Sequence, residues 1–326
     1  MKNPVEPCRT QQNPQKSVGT GPNPFLVYAC MKSLTLGSAA LIASCLCGAC
    51  TVRLDSQSQI VREERRFTVT GTPAVHATTF DGSIQIQSWD KPEVLIEIEK
   101  RGPTREAVEG LEVKSSQNGD TIEVEVPKPR NESFRVIGMG SSPTARLTVW
   151  VPKRADVRAR SGDGSIVVQG VNGRIEIHTG DGSIRASDIA GDLALSTGDG
   201  SVNVDGAEGR LTLDTGDGGV NVSGKLTGVR LHTGDGSIVY RAEAGTAMGE
   251  DWDITTGDGG VSLYLPSDFG AELDAHTGDG TIRNDLDVGS TAAGEVSRRT
   301  VRGRLGAGGR QLRIRTGDGS IRLRSL

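Results

Sequence analysis

Apolar and polar residues alternate through the second half of the chain, and the alternation restarts at a fixed interval. Around Asp181, the residues Ile175, Ile177 and Thr179 stand two apart before the aspartate, and Ile184 and Ala186 stand two apart after it. The arrangement returns as Leu193, Leu195, Thr197, Val202 and Val204, and again as Leu211, Leu213, Thr215, Val220 and Val222. A period of two predicts strands with one buried face. Glu176, His178, Arg185, Asn203 and Thr212 occupy the intervening positions and are expected to face water.

A four-residue turn punctuates the strands. It reads Ser161-Gly162-Asp163-Gly164, then Thr-Gly-Asp-Gly beginning at 179, 197, 215, 233, 256, 277 and 316, with a looser forerunner at Thr79-Phe80-Asp81-Gly82. The turn aspartates Asp163, Asp181, Asp199, Asp217, Asp235, Asp258, Asp279 and Asp318 are separated by 18, 18, 18, 18, 23, 21 and 39 residues. Each unit thus reads as strand, Gly-Asp-Gly turn, strand and a second glycine turn such as Gly170-Val171-Asn172-Gly173. This predicts an all-β fold: a flattened two-sheet parallel β-solenoid, β-helix-like, with 18-residue coils. The sheets would lie about 10 Å apart and the coils about 4.8 Å apart. The interval of 39 is read as two coils, one without the signature. About four aliphatic side chains per coil, at roughly 1.5–3 kcal/mol each, cannot offset the ordering of the coil alone. Stacked neighbours can, so both ends need caps; the candidates are 67–150 and 284–326.

The turn residues carry their own expectations. Glycine supplies φ > 0 for a tight reversal, aspartate accepts an amide two residues on, and stacked threonines hydrogen-bond along a ladder. Coils in register also place the aspartates in a column about 4.8 Å apart. Two unit charges at that spacing repel by about 0.9 kcal/mol in bulk water. A cation in the column would relieve this, which makes Asp163, Asp181, Asp199, Asp217 and Asp235 candidate calcium ligands. The double Gly-Gly-x-Gly-x-Asp signature of calcium-binding coils is missing, however, and the structural turn is the preferred reading.

Composition fits many short strands. Glycine accounts for 45 of 326 residues, aromatics for 3%, and the formal net charge is −4 with both signs interspersed. No basic domain or patch marks a nucleic-acid partner. All five cysteines, Cys8, Cys30, Cys45, Cys47 and Cys50, lie in the first 50 residues. The body therefore holds neither disulfides nor a cysteine zinc site. Met31-Lys32 followed by the apolar SLTLGSAALIASCLCGAC over 33–50 has the parts of an export signal, and translation is expected to begin at Met31. Ile42-Ala43-Ser44-Cys45 and Cys47-Gly48-Ala49-Cys50 both resemble bacterial lipoprotein signals, so Cys45 or Cys50 would carry the lipid. A plain cleaved signal and a short membrane anchor are the alternatives. The organisation read from the chain is an N-terminal extension plus signal over 1–50, a polar tether over 51–66, and a β-solenoid body over 67–326, irregular to 150 and regular from 151.

The Gly-Asp-Gly turns, Val151-Pro152-Lys153 with VRARSGDGSI over 157–166, LYLPSDFGAELDAHTGDGTI over 263–282 and LGAGGRQLRIRTGDGSIRL over 305–323 together resemble one family. It is the bacterial "putative adhesin" domain of unknown function, a toastrack-like β-repeat of envelope proteins and lipoproteins. The resemblance spans about 67–326 and implies a β-solenoid at the surface or in the periplasm. It implies no catalytic residues.

Other groups add little chemistry. His178, His232 and His276 take the same outward place in their coils, too far apart to share a metal. Trp252, Tyr264 and Phe269 flank the expanded repeats, and 241–253 is a candidate binding loop, with local packing as the plainer reading. The run from Arg298 to Arg304 reads as a solvated strand face rather than a lipid or polysaccharide contact. No nucleophile elbow, metalloprotease helix, phosphate loop or dinucleotide fingerprint is present. The expected function is a non-catalytic cell-envelope lipoprotein, not an enzyme and without a cofactor, acting as scaffold or adhesion module. The membrane would hold it through its lipid. An envelope protein, a cell-wall polymer or a host surface would be the partner. A calcium- or cation-stabilised binding module is the alternative, and a polysaccharide-active enzyme the third reading.

Overall fold

A computed structural model describes residues 59–129, 142–289 and 297–326. The signal, both candidate lipidation cysteines and residues 51–58 of the tether lie outside the described residues; the rest of the tether, 59–66, is part of the strand Gln59–Thr68. The described chain is all-β apart from one short helix, Arg105–Glu109. That helix is capped by Thr104, whose side chain accepts the Ala107 amide. None of its helices is long and apolar enough to cross a membrane.

Twenty-three strands join one continuous hydrogen-bonded sheet. Their parallel pairings run along two ladders. Strands entering a Gly-Asp-Gly turn form the first: Ala74–Thr79, Asp156–Ser161, Asn172–Thr179 and Ala190–Thr197, then the later parts of Val202–Thr215 and Val220–Thr233, then Trp252–Thr256. Strands leaving the turns form the second: Ile84–Trp89, Ile166–Gln169, Ile184–Ser187, the early parts of the same two long strands, Ile238–Ala242 and Val261–Leu265. The ladders are one sheet because Val202–Thr215 and Val220–Thr233 pass unbroken from one to the other.

Register follows the repeat. Ile175 pairs with Leu193, Leu193 with Leu211 and Leu211 with Val229. All four are buried, as are Ile184, Val202, Val220 and Ile238 along the second ladder. Identical faces thus meet their own kind in every coil, which is what period-two alternation requires.

Two features depart from a uniformly parallel coil taken in chain order. The ends are antiparallel. Gln59–Thr68 pairs with Glu93–Gly102, which pairs with Thr144–Pro152, and Lys114–Asn118 pairs with Thr121–Val126. Antiparallel strands of this kind, of which only the last pair is a hairpin, cover the open edge of a parallel stack. At the other end the coils are out of sequence. Trp252–Thr256 pairs with Gln311–Thr316, and Gln311–Thr316 pairs in turn with Ala271–Thr277. The last turn in sequence therefore sits between the two that precede it. Among the described residues the interval of 39 holds no unmarked coil; it holds Thr300–Leu305, antiparallel to Ala271–Thr277, on the outer side. That strand and Val288–Gly289 form the cover, and 311–325 belongs to the stack rather than to a cap.

The widest side chains fill the core beside the expanded repeats. Trp252 lies between Tyr240 and Phe269, with ring centroids 5.4 and 5.2 Å away. Its indole N–H donates to the Thr227 carbonyl at 3.3 Å. Burial pushes the Tyr240 phenol up. Trp252 and Phe269 are core residues, as the packing reading of the 241–253 insertion anticipates.

Near the N-terminal cover, Lys100 is 7% exposed and meets Glu63 Oε1 at 2.5 Å. The hydrogen bond from Lys100 holds the Glu63 carboxyl below its ordinary value of 4.5, against the opposing effect of burial. A lowered folded-state pKa contributes stability above the unfolded value and loses it as pH falls through the folded one. Glu63→Gln should cost about 1–3 kcal/mol at neutral pH by stranding a buried ammonium. Urea unfolding of both proteins should show this difference shrinking as pH drops below the ordinary glutamate value.

Candidate functional site

The Gly-Asp-Gly turns stand in one row, joined through their backbones. The Gly180 amide donates to the Gly162 carbonyl at 2.5 Å, Gly198 to Gly180 at 2.5 Å, and Gly216 to Gly198 and Gly234 to Gly216 at 2.6 Å each. Gly257 to Gly234 and Gly317 to Gly257, both at 2.6 Å, continue the series through the inserted coil. The ladder of amide bonds therefore turns the corner without interruption.

Glycine is required here by proximity. Among the described residues no glycine of a Gly-Asp-Gly turn has φ in the left-handed region; the positive values lie elsewhere, several of them in the second turns, such as Gly170 at 72° and Gly206 at 65°. A Cβ on the second glycine of a corner would lie 2.1 Å from the Gly182 carbonyl oxygen at Gly200, 2.0 Å from that of Gly200 at Gly218, and 1.9 Å from that of Gly259 at Gly319. The expectation that these corners need φ > 0 is thus corrected: the neighbouring coil's backbone occupies the space of a side chain.

The threonines point inward and serve the same contact. Thr197 Oγ1 donates to the Gly182 carbonyl at 2.9 Å and lies 3.2 Å from that of Gly180. Thr256 reaches Gly236 and Thr316 reaches Gly259, both at 2.8 Å. The hydroxyl also accepts from its own corner, as from the Gly236 amide to Thr233 at 3.2 Å and the Gly280 amide to Thr277 at 3.0 Å. Threonines bond to glycine carbonyls one coil away, not to one another as a ladder of hydroxyls would. Thr79, in the forerunner turn, is buried, and among the described residues its hydroxyl has no partner. The segment beyond it ends in Val126 and Pro127, with no glycine corner to receive it.

The aspartates face outward. Asp163, Asp181, Asp199, Asp217 and Asp235 are all exposed, as are Asp258, Asp279 and Asp318. Asp279 pairs with Arg299 at 3.3 Å. The row is an acidic ridge, but no three His, Cys, Asp or Glu side chains among the described residues gather where they could hold a metal ion.

A model of the Toastrack DUF4097 family matches residues 77–324. The chain belongs to that family. No curated protein matches it in sequence. Among solved structures, it is similar to a putative adhesin from Parabacteroides merdae, at 8% identity and a TM-score of 0.38, over 80% of this chain and 95% of that one. It is also similar to a putative cell adhesion protein from Clostridium sporogenes, at 12% identity and a TM-score of 0.30, over 82% and 100%. A putative lipid binding protein from Parabacteroides distasonis is similar at 12% identity and a TM-score of 0.32, over 80% and 96%.

The outer side of the first Toastrack ladder is laced with ion pairs. Arg158 meets Glu176 at 2.8 Å, and Arg160 meets it at 3.2 Å. Burial raises the Glu176 pKa, but the hydrogen bonds from these two arginines outweigh it and hold the carboxyl below its ordinary range. The basic run near the C-terminus belongs to the same pattern, with Arg302 on Asp274 and Arg304 on Glu272, both at 3.0 Å. His178 and His232 share one outward row, separated by Ser196 and Asp214. His276 stands in the same row and bonds Thr300 at 3.0 Å.

The corner geometry makes two measurable claims. Gly218→Ala should destabilise the fold by about 3 kcal/mol or more, because backbone cannot yield as a side chain can. Gly219→Ala should be near neutral, since the nearest atom to its Cβ, the Ser237 carbonyl oxygen, is 4.0 Å away. Denaturant melts of the two variants decide between proximity and flexibility as the reason for glycine. In the same assay Thr197→Val should cost about 1–2 kcal/mol through the lost bonds, and Thr79→Val should cost nothing measurable.

Proposed function

We propose that this Toastrack chain is an exported cell-envelope lipoprotein whose β-repeat body works by binding rather than catalysis. Its place would be the outer membrane or cell surface, held by lipid on Cys45 or Cys50. Its role would be that of a scaffold or adhesion module toward an envelope protein, a cell-wall polymer or a host surface. The finer architecture is part of the proposal: the two ladders are read as the facing sides of one flattened coil.

The observation that carries this reading is the register of the outward rows. Successive coils set their outward side chains, most of them polar or charged, in register on each ladder at about 4.8 Å intervals. The interior is filled by aliphatics, threonines and the cluster of Tyr240, Trp252 and Phe269. A surface of this kind repeats one contact many times, which suits an extended partner better than a small reacting molecule. The lipoprotein-type signal supplies the address.

Labelling growing cells with a palmitate analogue should mark the full chain, and either Cys45→Ser or Cys50→Ser should abolish the label. A label that survives both changes together would overturn the anchor. The purified full chain should sediment with isolated envelope and release no soluble product from envelope glycans. A released oligosaccharide would replace binding with catalysis as the function.

A further inference from the structure

We propose that the outward side of the second ladder, across the coils that follow Ile184, binds an extended anionic polysaccharide. This rests on the binding role proposed above and names the partner and the face.

The two ladders differ in how their arginines are used. On the first, arginines face acids on adjacent strands, as with Arg158 and Glu176. On the second, one outward row runs Arg185, Asn203, Asn221, Val239, Ser262 and Arg322, each in register with the next. Arg185 and Arg322 are exposed, and neither has a carboxylate partner among the described residues. In the adjacent row Arg241 lies over the Tyr264 ring, 4.8 Å from its centroid, and meets no carboxylate among the described residues, whereas Arg324, next in that row, reaches Asp285 at 3.8 Å. Asp205 borders the same face and accepts from the Ser223 hydroxyl at 2.5 Å.

Between the arginines the strip is lined with amides and hydroxyls. Asn221 Nδ2 donates to Asn203 Oδ1 at 3.4 Å, which leaves the Asn203 amide hydrogens and the Asn221 carbonyl free to turn outward. Arg185, Asn203, Asn221, Ser223 and Arg241 border a surface groove of about 440 Å³. Guanidinium groups take carboxylates in paired hydrogen bonds, and amides take hydroxyls. Coil spacing of about 4.8 Å sets these groups at intervals close to the rise of one sugar unit in an extended chain. A lipid surface would instead call for apolar side chains to insert. Among the described residues only Ile60 and Leu326 are large, apolar and exposed, and neither stands in these rows.

The test uses the immobilised full chain with three probes: polygalacturonate, dextran and phosphatidylglycerol vesicles. Polygalacturonate should be retained in a salt-sensitive manner, and dextran and vesicles should not. Combining Arg185→Gln, Arg241→Gln and Arg322→Gln should weaken retention about tenfold, the loss of three exposed ion pairs. Arg158→Gln, Arg160→Gln and Arg313→Gln on the first ladder should leave it unchanged, with thermal melts showing both triple variants folded. Equal loss from both sets, equal retention of dextran, or retention of vesicles in place of the polymer would overturn the proposal. A chain that ignores polygalacturonate but still sediments with envelope overturns this inference alone. One that does neither overturns the binding role as well.

Discussion

The closeness of one coil to the next at the Gly-Asp-Gly corner governs the rest of the molecule. Carbonyl oxygens there stand where a Cβ would otherwise be, about 2 Å from the ideal position at Gly182, Gly200, Gly218 and Gly236. Because backbone approaches backbone, the amide ladder continues around the turn, from Gly180 on Gly162 to Gly317 on Gly257. Continuity at the corner locks both ladders into one register. That register puts aliphatics on aliphatics inside and sets the outward side chains in rows. The buried threonine hydroxyls complete the contact by answering the carbonyls that the turn leaves unmet. A buried polar group is tolerated when it is satisfied, and from Thr179 onward the corner threonines are satisfied by the neighbouring coil, Thr79 being the exception.

The interior strands were legible in the chain because alternation has a direct physical cause. A residue such as Ile177 or Leu195 must face away from water, and its neighbours Glu176 and Ser196 must face it. The 18-residue interval between turns likewise transfers to space as a neighbouring strand. What alternation does not carry is the order of neighbours. Thr256 and Thr316 are partners although 60 residues separate them, and nothing local distinguishes that pairing from one with Thr277. The antiparallel covers are hidden for the same reason: the strands Gln59–Thr68 and Glu93–Gly102 alternate as any half-buried strand does, and direction leaves no mark on alternation.

The role of the corner residues was legible in type and not in cause. Glycine, aspartate and threonine all belong in a turn, so the sequence offered φ > 0 and a hydroxyl ladder as sufficient reasons. Crowding between coils is a long-range property, visible once residues 18 apart are placed side by side. The unpaired arginines were hidden more deeply. Arg185 carries the repeat spacing to Asn203 and Asn221, but Arg322 joins that row through the inserted coil, at no multiple of the repeat.

The inserted coil also constrains how the stack can be completed. A chain emerging from its amino end can add coils one upon another as far as Thr256. Its next marked strand, Ala271–Thr277, finds no seat on that growing surface, since Gln311–Thr316 belongs between them. Completion waits for the carboxyl-terminal segment to slot into place, as a keystone closes an arch. Removing residues 311–325 would take away one coil and leave the strand Ala271–Thr277 without its seat, so this end stays open until the final strands are in place.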